Sequence, residues 1–152
     1  MEATHEYEVE VNWLRDRIGN MSSTVLDSTI EVATPPEFAK GVAGIWSPEH
    51  LLVAAVNSCL MTTFLAIAEN SKLEFTHFSS RAVGKLTTVE GKLMINEITL
   101  FPKVLVSQEN ALERAERVLQ KSEKACLISN SVKATIHMQT EVSLDENKME
   151  LV

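Results

Sequence analysis

The chain has 152 residues, 45% of them apolar and 23% charged, which suits one domain with a real hydrophobic core. Its net charge of −7 argues against nucleic acid or an anionic membrane surface as a partner, since both need clustered Lys and Arg; the acidity reads as solubility. The first residues show neither a basic nor an apolar leader, so a reducing, cytoplasmic location is expected.

In chain order, residues 6–13 alternate Tyr7, Val9, Val11 and Trp13 with Glu6, Glu8, Glu10 and Asn12, which predicts a half-buried strand with an acidic face. Residues 14–20 read as a turn, 21–26 as the return strand, and 28–34 as a third strand stopped by Pro35-Pro36. Residues 37–46, with Gly41 and Gly44, read as a loop. A long helix then opens: Ser47 caps it, Pro48 suits its first position, and Glu49 complements its positive end. It is expected to run from Pro48 to about Asn70.

Residues 51–68 carry no charge, which raises the membrane question. Asn57, Ser58, Thr62 and Thr63 sit in their middle, and no Lys or Arg flanks them closely, so the expectation is a buried helix and no membrane. No face of this helix is polar. It must be covered on most sides, which a chain of this size does more easily with a second copy; hence a homodimer is expected.

Residues 73–86 and 92–106 read as a long hairpin joined near 87–91. Ser107 is expected to cap a second helix, with Glu109 early and Lys121 and Lys124 late. Ala111, Leu112, Ala115, Val118, Leu119, Ser122 and Ala125 give its apolar line, and Cys126 falls at its end. Residues 132–142 alternate as one strand, and the tail from Asp145 reads as frayed. Strands and helices in non-alternating order indicate an α+β fold, a single domain over residues 1–152.

Two cysteines carry the candidate chemistry. A thiol pair brought together by folding can cycle between dithiol and disulfide: one thiolate attacks a peroxide oxygen and the other thiol condenses with the sulfenic acid. The bland alternative is two buried thiols acting as small hydrophobes. A buried Cys59 needs a cation to hold its thiolate; Arg15 or Arg17, with Glu49 to orient it, are the candidates, and continued alternation would put both arginines on the face of Trp13. The histidines His5, His50, His77 and His137 are scattered, with no metal-ligand spacing, so no metal is expected. His50 beside Glu49 leaves open a hydrolase with Cys59 as nucleophile. No phosphate loop is visible, and no nucleotide or flavin is expected.

The run Trp46-Ser-Pro-Glu-His-Leu-Leu-Val-Ala-Ala-Val-Asn-Ser-Cys-Leu60 resembles the helix-start motif of the OsmC/Ohr family (osmotically induced protein C and organic hydroperoxide resistance protein). There, Ser/Asn-Pro-Glu opens the central helix and a cysteine follows ten residues after the Glu, as Cys59 follows Glu49. Glu123-Lys-Ala-Cys-Leu-Ile-Ser-Asn-Ser131 resembles the family's second cysteine followed by Ser-Asn. The best-known peroxidases read Cys-Pro-Tyr-Ser-Asn, so Cys-Leu-Ile-Ser-Asn puts this chain nearer the OsmC-like branches.

The resemblance implies an intertwined homodimer in which antiparallel sheets wrap long central helices, with sites at the subunit interface. It implies a thiol-dependent, stress-response peroxidase for alkyl or lipid hydroperoxides, with Cys59 peroxidatic and Cys126 resolving. An ion pair of Glu49 with an arginine of the first strand turn would cover the thiolate. Arg15-Asp16 matches the organic-hydroperoxide branch; Asp16-Arg17-x-Gly19 followed by Ser22-Ser23 resembles other branches, and Arg17 is favoured. No cofactor is implied beyond an external dithiol reductant, for which the resemblance suggests a lipoyl type. Leu51, Val56, Leu60, Phe64 and Trp46 would offer the apolar lining. The rival reading is a non-catalytic OsmC-like protein that binds an apolar small molecule at the dimer interface.

Overall fold

The computed structural model describes residues 3–147. The chain divides into two compact units, one ending at Leu51 and the other starting at Leu52. The long helix α1 (Pro48–Asn70) gives its first turn to one and the rest to the other.

In the first unit β1 (Glu10–Arg15), β2 (Ile18–Ser22) and β3 (Ile30–Ala33) form an antiparallel sheet in that order. β1 starts at Glu10 rather than residue 6, because Glu10 pairs with Ser22 and the partner strand ends there. Beyond it Ser23 turns the chain, its hydroxyl donating to the Glu8 carbonyl at 2.8 Å. The return strand is likewise Ile18–Ser22 and not 21–26. The apolar alternation of β1 is present, but the chain does not cover it: all six residues are exposed, Trp13 at 77%. Residues 34–46 lie along β3, where Ala33 N–H donates to the Trp46 carbonyl and Val42 N–H to that of Thr34, each at 2.8 Å.

In the second unit β4 (His77–Val89) and β5 (Lys92–Val106) form the expected hairpin. Its two-residue turn has Glu90 at φ 50° and Gly91 at φ 81°, the left-handed pair whose twist suits a tight hairpin. Ser107 does not cap the next helix. A 3-10 turn (Glu109–Ala111) intervenes, and α2 (Leu112–Ala125) begins without a side-chain cap. Its buried residues, Ala115, Val118, Leu119 and Ser122, keep the predicted three-and-four spacing.

The single strand expected over 132–142 is two, β6 (Thr135–Met138) and β7 (Glu141–Leu144), both parallel to β5. The ladder is interrupted between the pairs Leu100–Met138 and Lys103–Glu141. Pro102 stands in that gap and has no N–H to give. Ser80 of β4 is paired with Pro102, but the even-numbered residues of β5 turn their backbone groups to β6 and β7, so the Ser80 carbonyl faces the side of β4 away from β5; Asn57 Nδ2 of α1 donates to it there, at 2.8 Å.

The core lies between the helices and one face of this sheet. Val56, Leu60, Phe64 and Ala68, four residues apart on α1, are buried against Ile98, Leu100, Val104 and Val106 of β5 and against α2. Each large side chain in this set contributes about 1.5–3 kcal/mol by leaving water. Elsewhere on α1, Leu52, Met61 and Leu65 are left about 40% exposed, so this chain alone does not cover the helix on all sides. By length and composition α1 could cross a membrane: its most apolar window has a mean hydropathy of 2.0, and 28% of that window is buried. Its central hydroxyls turn back on the helix, Ser58 Oγ to the Ala55 carbonyl and Thr62 Oγ1 to that of Cys59. Asp145 is tied down, accepting from Thr76 Oγ1 at 2.7 Å; the tail from residue 148 lies outside the described residues.

Candidate active site

Cys59 sits on the buried side of α1, and Cys126 is the residue at which α2 ends, its backbone turning extended (φ −66°, ψ 111°). The chain then closes a tight turn. Asn130 N–H donates to the Cys126 carbonyl at 3.1 Å, Ser131 N–H to that of Ile128 at 2.9 Å, and Ser131 Oγ to that of Leu127 at 2.8 Å. Amides that open such a turn have no helical acceptor. Those of Leu127 and Ile128 face the Cys59 sulfur.

The two thiols are free and near enough for each to shift the other's titration. Cys59 is 8% exposed and Cys126 fully buried. Their environments push them apart. Burial, the largest single influence on Cys59, raises its pKa. The Cys126 thiol, the Ile128 amide, the Thr63 hydroxyl and the Leu127 amide together outweigh burial and bring it below the ordinary value. For Cys126, burial and the neighbouring Cys59 raise the pKa, and Ser129 offsets only part of this. The Ser129 hydroxyl is buried without a hydrogen-bond partner and faces the Cys126 thiol, whose pKa it lowers. Cys59 is therefore the more acidic thiol of the pair and Cys126 the less acidic.

Thr63 Oγ1 stands 3.8 Å from Cys59 Sγ, one helical turn on. This residue and the Leu127 and Ile128 amides were not among the sequence candidates. The four-residue spacing of Cys59 and Thr63 on a helix was the available signal. The expected apolar lining is corrected in part: Val56, Leu60 and Phe64 are fully buried in the core and line nothing.

In the first unit the turn after β1 is only Asp16 and Arg17. Asp16 takes a left-handed φ of 46°, and the register slips between Trp13 and Arg15. This breaks the alternation that would have put both arginines on one face. Arg15 lies 4.0 Å from Glu31 with both side chains exposed, whereas Arg17 lines a hollow of about 640 Å³ with Val11, Trp13, Ile18, Val32 and Ala33. Glu49 is half-buried in the first turn of α1, and among the described residues neither it nor Arg17 has an ion-pair partner. Ser47 caps α1 as expected, accepting from His50 N–H at 3.1 Å; its hydroxyl also lies 2.6 Å from His50 Nδ1. Among the described residues no three His, Cys, Asp or Glu side chains are grouped to hold a metal.

The sequence pattern of the OsmC-like protein family matches residues 41–141, which span both cysteines. The chain belongs to the OsmC-like family. This OsmC-like chain is 24% identical over 147 residues to the uncharacterized protein YmaD of Bacillus subtilis, covering 93% of the chain and 96% of YmaD. Among solved structures it resembles an OsmC-like protein of unknown function from Vibrio cholerae (TM-score 0.81, 25% identity, 90% of this chain and 99% of that one). It also shares the fold of an organic hydroperoxide resistance protein from Elizabethkingia anophelis (TM-score 0.72, 19% identity, 94% and 100%). The α+β fold is thus that of the OsmC-like proteins.

Proposed function

We propose that this OsmC-like protein is a thiol-dependent peroxidase that reduces organic hydroperoxides. The observation that carries the reading is the nearness of Cys59 to Cys126, one thiol shifted down and the other up. The Cys59 thiolate attacks the outer oxygen of ROOH. The O–O bond breaks, Cys59 becomes a sulfenic acid, and the alkoxide takes a proton to leave as the alcohol. Cys126 then attacks the Cys59 sulfur and water leaves, giving the disulfide. An external dithiol, of lipoyl type by family resemblance, returns both thiols and is itself oxidised to a disulfide. The two thiols already influence each other's titration, so they are neighbours before the reaction begins.

By family resemblance Arg17 and Glu49 are assigned to the site as well, the guanidinium to favour the thiolate form of Cys59 and the carboxylate to orient the guanidinium. The exposed apolar side chains of α1 (Leu52, Met61, Leu65) support a homodimer, which would cover them. We place the protein in the cytoplasm, off the membrane, and the reaction as written needs no metal, flavin or nucleotide. Structures named as organic hydroperoxide resistance proteins share this fold, which supports the substrate class.

The test is a thiol count. Reduced protein, freed of reductant, receives a small excess of an alkyl hydroperoxide. Both thiols per chain should vanish rapidly in wild type, and Cys126 should survive in Cys59→Ser. Thiols that persist on the timescale of spontaneous oxidation would exclude the peroxidase and favour the binding-protein reading.

A further inference from the structure

The hollow beside Arg17 has a wall that the proposed chemistry does not explain. Trp13 is 77% exposed, yet its indole is not idle: Nε1 donates to the Asp16 carbonyl at 2.9 Å. That bond spans the turn whose next residue is Arg17. It closes over a left-handed Asp16 and a slipped register, a backbone path that an L residue adopts only when something holds it. The same ring joins Val11, Ile18, Val32 and Ala33 as the apolar surface beside the guanidinium. A large apolar ring left in water next to a charge, on a rigid sheet, has the composition of a ligand wall.

We infer that Trp13 is both a positioning residue for Arg17, through its indole N–H, and a specificity-determining residue that selects hydroperoxides with a bulky apolar group, through its ring face. The inference deepens the peroxidase reading and rests on it. The two roles are separable because they use different parts of one side chain. Phe keeps most of the ring and loses the N–H; Ala loses both.

The experiment compares cumene hydroperoxide with hydrogen peroxide in wild type, Trp13→Phe and Trp13→Ala, reading kcat/KM for each. Trp13→Phe should slow both peroxides by a similar factor and keep their ratio, since Arg17 serves either substrate. Trp13→Ala should in addition lower the ratio of cumene hydroperoxide to hydrogen peroxide by about tenfold or more, the scale at which an apolar pocket discriminates. An unchanged ratio in Trp13→Ala overturns the selectivity role, and an unchanged rate in Trp13→Phe overturns the positioning role. Titration with cumyl alcohol, followed by calorimetry, reads the wall without turnover: wild type should bind it and Trp13→Ala should bind it at least several-fold more weakly. If wild type reduces neither peroxide, the peroxidase reading fails, and equal alcohol binding by wild type and Trp13→Ala then overturns the wall as well. If Trp13→Ala dissociates the protein into monomers and slows both peroxides equally, Trp13 is an interface residue and the inference falls.

Discussion

Replacing Thr63 with Val tests how the Cys59 thiolate is held. The two side chains have nearly the same shape, so the burial that raises the thiol's pKa stays in place while the hydroxyl is removed. A hydrogen bond to a charged group contributes about 1.5–3 kcal/mol at good geometry. At 3.8 Å the Thr63 hydroxyl is near the outer reach of a bond to sulfur, so a contribution of about 1 kcal/mol is the reasonable figure. At 1.36 kcal/mol per pKa unit this raises Cys59 by about 0.7 unit. The sign follows from the charge: losing a donor disfavours the thiolate, so the titration moves up. At a pH below the midpoint the thiolate fraction falls about fivefold. The assay is alkylation by iodoacetamide across pH, with the two cysteines resolved by peptide mass spectrometry. The Cys59 curve should move to higher pH in Thr63→Val and return in Thr63→Ser. A curve that stays put, or moves down, would refute the assignment and leave the amides of Leu127 and Ile128 as the holders of the charge.

Cys126→Ala should move the Cys59 alkylation curve up further than Thr63→Val does, because the Cys126 thiol is the largest of the influences that lower it; the same variant should consume one equivalent of hydroperoxide and then stop. Asn57→Leu leaves the Ser80 carbonyl without its donor but also removes the buried, partnerless Asn57 Oδ1, so the net loss should be about 1 kcal/mol, read from urea unfolding. Gly41→Ala drives a Cβ into the Pro35 carbonyl oxygen, a backbone atom that cannot swing away; a loss of about 2 kcal/mol or more is expected in thermal unfolding, and an unchanged midpoint would mean that residues 34–46 can move aside.

The sequence made some of this legible and not the rest, for local reasons. Ser47, Pro48 and Glu49 are a helix start written in adjacent residues, and the start of α1 is where they place it. The β4–β5 turn was readable because Gly91 supplies the left-handed backbone a tight hairpin needs. The break between β6 and β7 could not be read from residues 132–142, since its cause, Pro102, stands on another strand. Apolar alternation showed which face of β1 was apolar, but not that the chain leaves that face bare. The same ambiguity turned Val56, Leu60 and Phe64 into a supposed pocket wall, although an apolar residue on a helix looks alike in a core and in a wall. Cys59 and Cys126 were singled out by chemistry and resemblance; their nearness is a product of folding that no spacing predicts.

The bond from Asn57 to the Ser80 carbonyl does more than satisfy one polar group. A helix that is apolar all round can rotate about its axis and still bury oil against oil, and each residue step is a turn of about 100°. Asn57 gives α1 a compass point: one amide must meet one carbonyl, that of Ser80, at a single rung of β4 on the side that β5 does not pair. Two residues further on, Cys59 inherits the bearing. A carbonyl on an edge strand thereby aims a thiol on a helix, and the direction of the reactive sulfur is set by a bond that takes no part in its chemistry.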